Sequence, residues 1–431
     1  MTSVSAVALA DSGDQVRAVA RVLTLMTAAF ILAKTGRDAL YFQRDGILAL
    51  PFAIGLTATL AMPTALGTLL VLRRFGRTRT RPVALGLTAL GLGVAALVAR
   101  PGGGPGMTVF FVLVPVVFGV LFSIVWLLVG ERVGGDEAVR ARTYASVGAA
   151  SIAGGVGGAV LARVGAPFVG AYGLLGASAV LMALAAGLVY RLSRPPVAAP
   201  SDVPLAVAPP VARARFARAW QQPYVRLLTA MAAAGAMAGV LIEFTFYLAA
   251  ASSGRNGTAL ATLFANLYLG LNVLAWAVQR TLGPRLQGRI GVAGALLVLP
   301  VVLVGLAPIT ALAAVAAAQG LIRLVEGGLK ASVHRVSWEQ AFLPITGGCR
   351  TEAKLLVEGV AVRLAELLAA VALGVWVTVH GVGEPQVGLR WLGGALAVVA
   401  AGWLLLTLRL RRSYGGEALG SPMGTVRVPD S

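Results

Sequence analysis

The sequence predicts an all-α polytopic membrane protein, with twelve transmembrane helices arranged as two six-helix bundles. Three observations carry this. Hydrophobic residues fill 58% of the 431 positions and charged residues only 12%, with a mean hydropathy of +0.84, a balance that belongs to membrane-embedded chains. Apolar runs of roughly twenty residues, enough to cross a hydrocarbon layer about 30 Å thick, recur along the whole length. Arginines cluster in alternate connections between those runs, the pattern of cytoplasmic loops.

The runs fall at 19–43, 47–72, 83–99, 108–130, 143–162, 167–190, 223–250, 257–279, 290–307, 309–334, 352–379 and 390–410. Arg73, Arg74, Arg77, Arg79 and Arg81 follow the second run, Arg132, Arg140 and Arg142 the fourth, and Arg191, Arg194, Arg213, Arg215 and Arg218 the sixth. Arg280, Arg285 and Arg289 follow the eighth, and Arg409, Arg411 and Arg412 the twelfth, whereas the opposite loops hold little beyond Arg44, Arg100, Arg163, Arg255 and Arg390. Both termini are therefore expected in the cytoplasm, with the chain in the cell (inner) membrane. Asp11 and Asp14 ahead of a long first run argue against a cleaved signal. The expected organisation is a bundle over 1–190, a Pro- and Ala-rich cytoplasmic linker over 191–222, a second bundle over 223–412 and a disordered tail over 413–431. The end of the linker is basic and amphipathic, with Phe216 and Trp220 suited to the inner leaflet.

A net charge of +19 raises the question of nucleic acid. Its distribution over alternate loops instead of one patch excludes that partner. The Gly-rich stretch 148–160 carries neither a phosphate-binding loop nor a dinucleotide turn and reads as close helix packing. His334 and His380 fall at opposite membrane faces and Cys349 is the single cysteine, so neither a metal, a cofactor nor a disulfide is expected. No nucleophile and base pair off, so the chain does not read as an enzyme.

Charges inside the apolar runs cost several kcal/mol unless paired or facing water, and so mark a polar cavity. The stretch from Gln319 to Glu366 concentrates them. Gln319, Arg323, Glu326 and Lys330 step along one helix face, and Arg350, Lys354 and Glu358 along the next, followed by Arg363 and Glu366. The first run carries Lys34, Arg37, Asp38 and Tyr41, with Lys34, Asp38 and Tyr41 on one face. In the seventh run Glu243 is the only charged residue besides Arg226 at its start. Among 36 Lys plus Arg only Lys34, Lys330 and Lys354 are lysine, and all three fall on these stripes. A compact ammonium differs from a planar guanidinium as a ligand group. Stripes of both signs point to a small anionic substrate. Asn266, Tyr268 and Asn272 in the eighth run suit helix-to-helix hydrogen bonds equally well.

The two blocks are nearly equal in length, each with six runs in the same orientation. A parallel repeat of this kind is the architecture of major-facilitator transporters, whose substrate site lies between the halves. Arg74, Gly76 and Arg77 resemble part of the basic loop those transporters carry after their second helix.

Three blocks resemble the ATP/ADP translocase (nucleotide transporter) family of plastids and intracellular bacteria, a branch allied to that fold. Its Lys-Asp pair is similar to Arg37-Asp38 ahead of Pro51-Phe52, and its Val-Glu-x-Thr-Trp to Ile242-Glu243-Phe244-Thr245-Phe246. Its Lys-Glu-x-x-Tyr-x-Pro resembles Trp338-Glu339-Gln340-Ala341-Phe342-Leu343-Pro344, and its Lys-x-x-Gly-Lys resembles Arg350 to Lys354, followed by Glu358 and Arg363. There are two departures. The family's fourth helix carries an acid that residues 108–130 lack, and its Arg-Leu-Gly-Lys stands here as Arg363-Leu364-Ala365-Glu366. The resemblance implies exchange of nucleotides or phosphorylated metabolites, with Arg37, Glu243 and Lys354 at charged positions the family needs. Lys34, Arg37, Arg323, Lys330, Lys354 and Arg363 are then expected to face the anion, with Asp38, Glu243, Glu326, Glu358 and Glu366 holding them. A proton-coupled carrier of another solute and a non-transporting scaffold or lipid-handling protein are the alternatives.

Overall fold

The computed structural model describes residues 2–98, 107–132, 137–193, 209–255, 257–313, 315–342, 344–345, 349–381 and 385–420. Arg100, Arg194 and Leu343 lie outside them, as do 421–431 of the expected tail. Four long helices, α1 (Thr2–Arg44), α2 (Leu50–Phe75), α3 (Arg77–Val98) and α4 (Met107–Arg132), precede α5 (Glu137–Ser193) and the short α6 (Pro209–Gln221). The second half holds α7 (Pro223–Ala251), α8 (Gly257–Thr281), α9 (Gly283–Leu312), α10 (Ala316–Leu329), α11 (Arg335–Ala341), α12 (Arg350–Lys354), α13 (Val362–His380) and α14 (Pro385–Gly420). Wider π-helical turns at Lys330–His334 and Leu355–Ala361 join α10 to α11 and α12 to α13.

Among the described residues nine helical stretches are long and apolar enough to cross a membrane. One of them, Ser146–Ser193, holds two expected spans. Gly170 breaks it at φ 63° and ψ −172°, a left-handed conformation open chiefly to glycine. The two pieces then run in opposite directions along α1. Thr24 donates to Ala150 O at 3.0 Å and Thr27 pairs with Ser151 at 2.8 Å, whereas beyond the break Ser178 donates to Ala29 O at 2.7 Å. Small residues permit this. A Cβ on Gly158 would stand 2.6 Å from Ala28 Cα, and one on Gly154 would strike the Thr24 backbone. Close backbone approach is the main source of helix association in lipid, where the solvent is as apolar as the side chains.

The second expected span falls on α2, whose apolar stretch Leu50–Thr64 is shorter than those nine. The tenth is Ala316–Ala341, whose charges keep it out of the apolar set. α9 ends at Leu312 and α10 begins at Ala316, so the turn into the tenth span comes later than the expected 307–309. Gln319 holds that turn by donating to Ala313 O at 2.7 Å. α14 runs on to Gly420, past the expected end of the second bundle at 412. The halves meet where α1 and α5 pack on α8 and where α2 packs on α13. Large apolar side chains such as Phe168, Leu312, Val375 and Val398 are exposed, as a lipid-facing surface requires. α6, the end of the linker, carries exposed Arg218 and Trp220, and its Arg215 lies 3.6 Å from Glu352.

Candidate functional site

Asp38 is wholly buried between the halves. Its Oδ1 accepts from Arg37 Nε at 2.7 Å, and its Oδ2 accepts from the Tyr247 hydroxyl at 2.8 Å and from the Tyr268 hydroxyl. Arg37 also donates to Phe111 O at 2.9 Å, with its guanidinium 4.0 Å above the Phe111 ring. A buried ion pair is tolerated when each partner's remaining hydrogen-bonding capacity is filled. Here α4, α7 and α8 fill it. Tyr41, expected on the Lys34–Asp38 face, packs instead among aromatic rings, 4.4 Å from Phe111 and 5.1 Å from Phe42. Phe42 in turn lies tilted against Tyr247 at 4.6 Å and meets Phe264 at 5.9 Å.

From this point a chain of alternating charges crosses the second half. Lys34 Nζ lies 3.7 Å from Glu243 and 4.8 Å over the Tyr268 ring. Glu243 lies 3.4 Å from Arg323, Arg323 also donates to Glu326, and Glu326 lies 3.2 Å from Lys330. Seven of the expected site residues thus form one connected network: Lys34, Arg37, Asp38, Glu243, Arg323, Glu326 and Lys330. Gln319 shares their stripe but is spent on the turn described above.

The remaining expected residues gather further along α12 and α13. Lys354 Nζ lies 2.5 Å from Glu339 and 3.9 Å from Glu358, Arg335 lies 2.9 Å from Glu339, and Trp338 Nε1 donates to Glu358 at 2.9 Å. Arg363 pairs with Glu366 at 2.7 Å. Both π-helical turns border this region. An extra residue per turn widens a helix and redirects its side chains, which is why such turns recur at functional sites. They border a cavity of about 450 Å³ lined by Lys330, His334, Arg335, Glu358, Arg363 and Glu366 among others. Among the described residues, Ser123 alone lines it from the first half. The expected residues are therefore divided between a tight paired network and an open cavity, with Lys330 in both and Lys354, held by Glu339, in neither. Among the described residues no group of three or more His, Cys, Asp or Glu is placed to hold a metal ion.

Sequence reasoning left Tyr247, Glu339 and Trp338 out of the site. Tyr247 was detectable as the residue one turn after Glu243. Glu339 and Trp338 sit in the block that resembles the nucleotide transporters, one turn after Arg335 and His334. Tyr268, in sequence equally suited to a helix-to-helix hydrogen bond, meets its partner Asp38 from 230 positions away, a contact that helical spacing does not reveal.

Fold and site together define a multi-pass, all-α membrane protein of major-facilitator-like architecture. It is similar to the nucleoside transporter NupG, with a TM-score of 0.65 and 12% identity over 91% of this chain and 98% of that one. It is similar also to the POT family transporter PepTSo, with a TM-score of 0.65 and 11% identity over 94% and 99% of the two chains. An auto-inhibited POT family peptide transporter matches with a TM-score of 0.61 and 14% identity over 97% and 99%. No protein-family model matches the sequence, and no curated protein matches it.

Proposed function

We propose that this chain is a secondary transporter of the inner membrane that exchanges nucleotides or similar phosphorylated metabolites by alternating access. Residues 1–190 and 223–412 would be the rocking halves, 191–222 the cytoplasmic linker, and both termini cytoplasmic. The observation that carries the reading is the pairing of a cavity bearing Lys330, Arg335 and Arg363 with a buried ion network that ties the halves together beside it. The likeness to solved transporters supports the architecture. The three resemblance blocks support the substrate class.

Exchange has a physical basis. Arg335 and Arg363 are paired with Glu339 and Glu366 yet keep exposed faces, and closing the cavity would strip the water that reaches them. A bound polyanion replaces the water, so the loaded carrier reorients more readily than the empty one. Radiolabelled ATP uptake into proteoliposomes preloaded with ADP tests this, with Lys330→Ala as the impaired comparison. Uptake that is indifferent to the preload would dispose of obligatory exchange.

A second reading is favoured by Glu366, which faces the cavity with a single basic partner, Arg363. That reading makes the chain a proton-coupled carrier of another solute. That reading requires uptake driven by a pH gradient into vesicles without internal substrate.

A further inference from the structure

One wall of the cavity is aromatic. The His334 and Trp338 rings stack with centroids 6.1 Å apart and planes inclined by 17°, and Trp403 of α14 meets His334 edge-on at 5.5 Å. The facing surface of α7 is trimmed to glycine at two successive turns. A Cβ on Gly235 would stand 2.9 Å from the Trp403 ring, and one on Gly239 would stand 3.0 Å from Lys330 Nζ. The charged groups on the cavity wall are all paired, and the Trp338 indole donates to Glu358. Two nitrogens on the same wall are buried without a partner: Trp403 Nε1, on a side chain 3% exposed, and His334 Nδ1. An unmatched buried donor costs about 1–3 kcal/mol. The rings of Trp403 and His334 adjoin each other and both line the cavity; the indole nitrogen is a donor, and the imidazole nitrogen donates or accepts according to its tautomer. Lys330 and His334 both line the cavity, so the cation and the aromatic wall share it.

We infer that Trp403 and His334 read the edge of a planar nitrogen heterocycle, with Lys330 and Arg335 beside them taking the phosphates attached to it. The indole N–H donates to a ring acceptor, since an indole has no lone pair to offer. The His334 imidazole supplies the second edge contact, and Gly235, whose missing Cβ makes way for the Trp403 ring, fixes where that indole sits. This rests on the nucleotide reading above and adds to it the base site, with span twelve as a contributor that no charge stripe marks.

The test is a pair of titrations on the purified full chain, one with ADP and one with inorganic pyrophosphate, which keeps the charge and lacks the ring. Trp403→Phe keeps an aromatic side chain and removes the donor. ADP affinity is expected to fall about tenfold, near 1.4 kcal/mol, while pyrophosphate affinity holds. Equal affinity of wild type and variant for ADP would overturn the base site and leave nucleotide transport standing. Failure of the wild type to bind ADP or ATP at all would remove both. Should Trp403→Phe not fold, ADP analogues with single ring nitrogens replaced by C–H are titrated against the wild type. At least one such replacement is expected to weaken binding about tenfold, and uniform affinity across the set would overturn the inference.

Discussion

The Tyr247 hydroxyl on α7 donates to Asp38 Oδ2 on α1 at 2.8 Å, joining the two halves inside a fully buried cluster. Tyr268 on α8 donates to the same oxygen. An alternating-access cycle has to break these bonds whenever this end opens. Tyr247→Phe removes one of them and leaves the Arg37–Asp38 pair in place. A net hydrogen bond of about 1 kcal/mol shifts the balance between closed and open forms by roughly fivefold. In a Cys349→Ser background, a cysteine introduced by Leu248→Cys is expected to react correspondingly faster with a membrane-impermeant thiol reagent. An unchanged rate would show that the bond is not a latch.

Glu243 sits between Lys34 and Arg323, at 3.7 and 3.4 Å. Arg323 has a second carboxylate in Glu326. Lys34 keeps the Tyr268 ring and the field of Asp38 beyond ion-pair distance once Glu243 is gone. Breaking a buried pair by removing one partner costs about 3–5 kcal/mol, and partial exposure here brings the expected loss toward the lower figure. Glu243→Gln should therefore lower the melting temperature of detergent-purified protein markedly. Lys34→Met combined with Glu243→Gln should recover much of the loss, a coupling that a double-mutant cycle measures. Strictly additive losses would separate the two residues energetically.

The charge stripes made most of this network readable from the sequence, because helical spacing fixes which side chains share a face. Arg323, Glu326 and Lys330 behave as their spacing predicts. Gln319 obeys the same spacing yet serves the α9–α10 turn, since the helix begins only at Ala316 and its first turn lies beside free carbonyls. Spacing is silent about contacts between distant spans, which is why the Tyr268–Asp38 bond was out of reach. It also assumes a constant 3.6-residue turn. The π-helical turns at Lys330–His334 and Leu355–Ala361 break that assumption. They rotate the later stripe so that Arg363 and Glu366 line the cavity while Lys354 pairs with Glu339.

The packing of α5 on α1 makes a sharper distinction among glycines than the Gly-rich stretch itself does. Gly158 lies against the backbone of Ala28, and Gly157, its neighbour, has nothing within 4 Å of an added Cβ. Backbone cannot move aside as a flexible side chain can. Gly158→Ala is expected to destabilise by about 1–3 kcal/mol, the usual cost of overpacking. Gly157→Ala should be neutral or slightly stabilising. Melting temperatures of the two variants in the same detergent check the contrast, and equal values would mean that α5 does not pack this closely on α1.

Lys330 is the residue through which the paired network and the cavity communicate. Its ammonium lies 3.2 Å from Glu326 and its side chain lines the cavity. Glu326 retains Arg323 when Lys330 is replaced, so Lys330→Gln should fold and insert normally. It should raise the KM for a nucleoside diphosphate about tenfold, the value of one desolvated cation–phosphate contact near 1.4 kcal/mol. Arg363→Gln should cost more, because it leaves Glu366 unpaired on the cavity wall and sets a carboxylate against the incoming anion. Salt separates charge from shape. Raising ionic strength from about 0.05 to 0.5 M shortens the screening length several-fold, so wild-type KM should climb while the KM of Lys330→Gln climbs less. Parallel salt curves for the two proteins, measured by initial rates of exchange in proteoliposomes, would take Lys330 out of the substrate's path.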